Sequence, residues 1–252
     1  MSCQLPSVIG AGVGQFVNNK KISTDGSEFT GSVGIIAKKV SILKDVLGCV
    51  LGDELQADPK RNVKIVIPKK GSIHCPDGMD MHDRIMNHLT KLDCSDYTFE
   101  EIDMAGIDDR RIGISTIEKC LKDVNADLIL TMEGPVDVYG YGETIPQYFG
   151  NIGIDLTKNH GKYLLRAANM CHATAVTVPT SMLASGILII AKGGAKHAGY
   201  AFDLARKFEE SIKLPEVWKR CFLEEQQYTG INFNQYDPVD SDFLDISTRR
   251  DV

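Results

Sequence analysis

The sequence predicts an α/β protein: a doubly wound, mostly parallel sheet with helices on both faces, in a Rossmann-like three-layer arrangement. Two observations predict it. Short β-branched or apolar runs alternate with longer segments of helical spacing, and the alternation repeats four or five times along the chain, as parallel strands joined by crossover helices require. The runs at 126–131 and 186–191 are apolar nearly throughout, as strands covered on both faces are. At 252 residues, the chain can bury roughly 70–75% of its unfolded surface without disulfides or metal.

In chain order, Val33, Ile36, Val40, Leu43, Val46, Leu47, Val50 and Leu51 form a helical stripe within 33–56. Residues 63–68 read as a strand ending at Pro68. A helix follows over 81–92, then a strand over 97–104, a helix over 114–124 and a strand over 126–131. Beyond it come a helix at 161–170, a strand at 173–178, the buried strand at 186–191 and a helix at 195–211, with Tyr200, Leu204 and Phe208 at four-residue steps. Pro215 stands at the first position of a final helix reaching 227. The expected organisation is an N-terminal extension over 1–32, one α/β domain over 33–227 and an acidic C-terminal tail over 228–252.

Lys and Arg number 28 against 34 Asp and Glu, for a net charge of −6. That balance argues against nucleic-acid binding, which needs a basic face, while leaving room for a local pocket that takes a small anion. Seven cysteines without a CxxC pair fit reduced thiols and a cytoplasmic protein. Lys20 and Lys21 follow the mildly apolar N-terminal stretch instead of preceding it, so no signal peptide is expected. No apolar run is long enough to cross a membrane.

Ligands of such sheets bind beyond the carboxyl ends of the strands. Two turns there contain glycine beside lysine. Residues 189–196 run from the apolar strand through Gly193 and Gly194 to a helix start flanked by Lys192 and Lys196; exposed N–H groups and the helix terminus suit a phosphate. Gly71 and Ser72, beside Lys69 and Lys70, repeat the theme after the first strand. Carboxylates follow the next two strands: Asp103, then Glu133, Asp137 and Glu143 in a loop rich in Gly and Tyr, where an acid can move protons. His74, His82 and the aspartates of 74–83 allow two readings, a divalent cation or acids at a helix N-terminus. The spacing matches no standard zinc pattern, and no metal or cofactor is expected. The glycines of 10–14 lack a dinucleotide fingerprint because Gln15 stands at the third glycine.

At these residues the chain resembles the glucosamine-6-phosphate deaminase and 6-phosphogluconolactonase superfamily, from about residue 63 to 225. Residues 175–179 and 187–196 look like the family's apolar strand, glycine turn and phosphate-binding lysine, which puts Lys196 in that role. Gly71 and Ser72 are similar to its glycine–serine phosphate loop, with Ile73 and His74 where a threonine–proline pair is expected. Ile102 and Asp103 fill the positions of its Asp–Glu pair. Residues 132–146 match its aspartate–glycine–histidine loop, retaining Asp137, Glu143 and Pro146 but no histidine.

The resemblance implies a sugar-phosphate isomerase, deaminase or lactonase. Gly71, Ser72, Gly193, Gly194 and Lys196 would hold the phosphate, with Asp103, Asp137 and Glu143 sharing proton transfer. The alternative is a non-catalytic protein of the same fold that binds or senses a sugar phosphate. The two phosphate turns are expected at the same sheet edge, and self-association is expected without a located interface.

Overall fold

The computed structural model describes residues 2–5, 20–22, 28–30, 33–51, 62–134, 161–182 and 185–214. These fold as an α/β structure around a seven-stranded sheet. Its strands are β1 (Ser2–Leu5), β4 (Val33–Ile36), β5 (Val63–Pro68), β6 (Tyr97–Ile102), β7 (Leu128–Glu133), β8 (Thr174–Pro179) and β9 (Gly186–Ala191). Their spatial order is β4-β1-β8-β9-β7-β5-β6. A separate pair, β2 (Lys20–Ile22) and β3 (Glu28–Thr30), is antiparallel. The helices are α1 (Val40–Leu51), α2 (Met81–Leu89), α3 (Arg110–Glu118), the single turn α4 (Leu165–Ala168) and α5 (Ala195–Ser211).

The sheet is mixed. β5 pairs in parallel with both β6 and β7, as the crossovers through α2 and α3 require. β9 runs antiparallel to both β7 and β8, and β1 antiparallel to both β8 and β4. Five strands therefore share one direction, and β1 and β9 oppose it. The expectation of a mostly parallel ladder holds for the β5–β6–β7 block alone. The reason is local: only a short turn separates β8 from β9, too short for a crossover helix, so they form a hairpin.

Residues 1–32 are not simply an extension, because Ser2–Leu5 is paired on both sides within the main sheet. The stripe from Val33 begins in a strand and becomes helical only at Val40. Val40 N–H, one of the orphan donors of that first turn, donates to both carboxylate oxygens of Glu209 on α5, at 3.3 and 3.2 Å. α5 buries Tyr200, Leu204 and Phe208 completely, each contributing about 1.5–3 kcal/mol by apolar burial. The predicted helix at 215–227 and the acidic tail lie outside the described residues. No helix among the described residues is long and apolar enough to cross a membrane.

The direction of β9 decides where its following turn falls. Ala191 sits opposite Leu128, the first residue of β7. Lys192 N–H reaches Asp127 O at 3.4 Å, just ahead of β7. Buried Asp127 in turn accepts Lys64 N–H at 3.0 Å at the start of β5. The 192–196 turn thus lies at the amino edge of β5 and β7, not at their carboxyl edge.

Candidate functional site

Strands β5, β6 and β7 aim their carboxyl ends at one sheet edge, and a cleft of about 670 Å³ opens there. Residues 72–76 after β5, Gly106 and Asp108 after β6, and Gly161 and Tyr163 beyond β7 line it. The segment 69–80 is held by its own hydrogen bonds. Lys69 N–H donates to Ile102 O at 2.7 Å, Ser72 N–H to Lys69 O at 3.0 Å and Met81 N–H to Ile73 O at 3.0 Å. Asp80 closes the loop: one carboxylate oxygen accepts Gly71 N–H at 2.6 Å and the other accepts His82 N–H at 2.9 Å, capping α2. Asp80→Ala is expected to cost about 1–2 kcal/mol through the lost cap and to loosen the Gly71 turn. Urea denaturation with proteolysis of 69–80 measures both.

The opposite wall is organised by Glu133 at the end of β7. Its buried carboxylate accepts Tyr163 N–H at 2.8 Å and Leu165 N–H at 3.1 Å. The Tyr163 hydroxyl then donates to His74 O at 2.9 Å, tying the walls together. Burial raises the Tyr163 pKa further above its ordinary value, so the hydroxyl stays a donor.

Cys75 lines the cleft with a buried thiol that burial pushes up to about 11, the nearby Arg84 guanidinium only partly countering it. At neutral pH it is a thiol rather than a thiolate and no nucleophile. Cys120 and Cys171 are likewise pushed up by burial, to about 11 and about 12, while Cys49 is exposed. Iodoacetamide is expected to label Cys49 well before Cys75, Cys120 and Cys171, read by peptide mass spectrometry.

Beside the cleft, buried Arg84 forms an ion pair with Asp77. Partial burial raises the Asp77 pKa, but the Arg84 guanidinium and Met79 N–H outweigh it and hold the carboxyl below its ordinary value. A carboxyl depressed on folding adds stability above its unfolded pKa, and that share disappears as pH falls through the lower folded value. Acid unfolding below about pH 4 should therefore be less steep in Asp77→Asn than in the wild type, read by thermal melts at falling pH.

The sequence-predicted site residues do not converge. Gly71 and Ser72 lie at the cleft's edge, Ser72 among its lining residues. The Gly71 and Ser72 N–H groups, however, are already bonded to Asp80 and Lys69, so this turn is no open backbone cradle for phosphate. Gly193, Gly194 and Lys196 stand at the opposite edge, one strand length away, roughly 20 Å at 3.3 Å per residue. The expected shared phosphate site is not formed, because β9 runs against β7. Asp103 follows β6 but is exposed, and its carboxylate accepts Ala105 N–H at 3.0 Å, closing a local turn. Asp137 and Glu143 lie outside the described residues.

In 74–83 Asp80 caps α2, as the helix-terminus reading expects. Asp80, His82 and Asp83 bring ligand atoms within 4.8 Å of one another. Yet both Asp80 oxygens hold backbone N–H groups, Asp83 pairs with Lys70 at 3.0 Å, and His82 lies between Asp83 and Glu101.

Sequence reading missed Asp108 and Tyr163 in the lining, and the positioning role of Glu133. Asp108 could have been found as an acid just after a strand. Tyr163 carried no such signal, because its place depends on the distant Glu133.

No family model matches this sequence, and no curated protein matches it. A solved structure described as "Crystal structure of amidase" is similar over 84% of this chain and 58% of that chain, at 10% identity and a TM-score of 0.39. This chain thus spans less than two thirds of that structure's length, and a likeness at this level carries no argument about activity.

Proposed function

We propose that the cleft at the carboxyl edge of β5, β6 and β7 binds a sugar, in its phosphorylated form, and that Asp108 and His74 supply proton transfer for an isomerase- or lactonase-type reaction. The observation that carries this reading is the lining itself. Ser72, His74, Asp108, Tyr163 and two glycines line one cleft beyond three parallel strand ends, where α/β sheets hold small polar ligands. Ser72 Oγ is buried there and makes no hydrogen bond among the described residues, so it is available to a ligand hydroxyl. The chemistry needs no cofactor: a carboxylate takes the proton next to a sugar carbonyl and returns it to the neighbouring carbon, while an imidazole stabilises the carbonyl oxygen.

The phosphate end of this reading rests on Lys69, exposed in the Lys69–Ser72 turn, since the lining holds no lysine or arginine among the described residues. The same reading takes the fold as three-layered: the β5–α2–β6 and β6–α3–β7 crossovers step in opposite directions, and right-handed connections then put α2 and α3 on opposite faces. It also places the protein in the cytoplasm, self-associating and without nucleic-acid partners, in keeping with its net charge of −6.

A second reading, binding without turnover, is favoured by Asp103, whose carboxylate is taken up by its own turn. A thermal-shift series of hexose and pentose phosphates, their parent sugars and orthophosphate tests ligand class, with turnover measured on each hit. Catalysis predicts that Asp108→Asn loses turnover at least about a hundredfold, the low end of acid–base contributions, with binding retained. Stabilisation without turnover would select the sensor reading, and stabilisation by no sugar would remove both. Lys196→Ala is expected to leave binding unchanged, because Lys196 stands at the far edge.

A further inference from the structure

We propose that Met79 and Met182 are a paired site of methionine oxidation, with buried Arg84 as the built-in receptor for the sulfoxide oxygens. The inference does not depend on what the cleft binds. The Arg84 side chain is 6% exposed, and its Nη2 pairs with Asp77. Among the described residues, two further N–H groups reach sulfur: Nε donates to Met79 Sδ at 3.3 Å and Nη1 to Met182 Sδ at 3.4 Å. A thioether is a weak acceptor, so a buried cation here directs two strong donors at poor partners.

Both methionines are accessible, Met79 at 45% and Met182 at 40% exposure, whereas Met81, Met104 and Met132 are fully buried. They reach Arg84 from different places. Met79 belongs to the loop whose residues 74–76 line the cleft, and Met182 to the turn between β8 and β9.

The oxidant is hydrogen peroxide. A sulfur lone pair attacks one peroxide oxygen, the O–O bond breaks as the S–O bond forms, and the proton on the transferred oxygen passes to the departing hydroxide, which leaves as water; sulfur loses two electrons and the peroxide gains them. The product carries a polar oxygen where the weak acceptor stood. With their exposed side chains free to draw back, each sulfoxide can take the Arg84 N–H that its sulfur held. A charge-assisted bond then replaces a weak one. Oxidation of a buried methionine puts a polar group into the core, whereas at these two positions it completes the pairing of a buried cation. The modification therefore joins the cleft loop and the β8–β9 turn more firmly, and methionine sulfoxide reductases reverse it.

The test is graded hydrogen peroxide on the full-length protein, read by peptide mass spectrometry and by the Arg84 Nε–H resonance in a proton–nitrogen NMR spectrum. Met79 and Met182 are expected to convert before Met86 and Met170. In the oxidised protein the Arg84 Nε–H should shift, and its exchange with water should slow about fivefold or more as the stronger bond forms. Reductase treatment should restore the original signal. Met79→Leu treated in the same way should show no change at Nε, which separates a sulfoxide bond from a general effect of peroxide. Conversion of Met86 or Met170 first would overturn the proposal. So would an unmoved Arg84 Nε–H in protein fully converted at Met79, or a lower melting temperature when only Met79 and Met182 are oxidised.

Discussion

Gly161→Ala is expected to lower the unfolding free energy by about 2–5 kcal/mol, the sum of a left-handed backbone penalty and an overpacking penalty. Gly161 has φ +63°, and a Cβ there would stand 2.6 Å from Pro76 Cγ and 2.9 Å from Gly134 Cα. The nearest obstacle is a ring on the opposite cleft wall and the next is backbone, so neither moves cheaply. The Gly161 carbonyl also accepts Gly134 N–H, fixing the distance between the end of β7 and the wall that continues to Tyr163. A methyl group must break that contact or displace Pro76, and either widens the cleft. Urea titration gives the stability loss, and on the sugar-phosphate reading proposed for the cleft the same variant should lose any ligand-induced thermal shift. A variant within 0.5 kcal/mol of wild type, the scatter of ordinary surface substitutions, would mean that the two walls do not close as described.

The strands were legible where side-chain chemistry alone defines them. β5 falls at the predicted 63–68 because a β-branched run ends at a proline, and β9 at 186–191 because six buried residues need no alternation. α5 matches 195–211 through its four-residue steps. Strand direction was not legible. A run such as Ile187-Leu188-Ile189-Ile190 presents the same apolar surface either way, and only its neighbours' register decides. That single unknown separated Lys196 from the Gly71 turn.

The first strand was missed for a related reason: Ser2–Leu5 is too short for periodicity, and its pairing with both β8 and β4 is a long-range fact. Loop function was misread where a local hydrogen bond outcompeted a ligand. Asp103 reads as a strand-end acid but closes its own turn, and the Gly71 N–H is held by Asp80. In both cases the polar group that looked available in sequence had a nearer partner in the chain.

Glu133 shows how far that logic extends, and it carries the second large effect. Glu133→Ala is expected to cost about 2–4 kcal/mol, because the buried Tyr163 N–H loses its acceptor at about 1–3 kcal/mol and the partly buried Leu165 N–H at about 1 kcal/mol. Those donors, Tyr163 N–H and Leu165 N–H, begin the segment that enters α4 and forms the far wall of the cleft. The Tyr163 hydroxyl then bridges to His74 O, so the loss should propagate to the loop after β5. Amide hydrogen exchange should locate it, with faster exchange at Tyr163 and Leu165 and then at residues 72–76, while β5 and β9 keep their protection. Glu133→Gln distinguishes charge from shape. Its single carbonyl oxygen can accept one of the two N–H groups, but its NH₂ must then face the other, so about half of the alanine effect should remain. A glutamine variant as stable as wild type would show that one acceptor suffices. An alanine variant that unfolds normally yet leaves exchange at 72–76 unchanged would show that the two walls are independent, and that the Tyr163–His74 bond does not couple them.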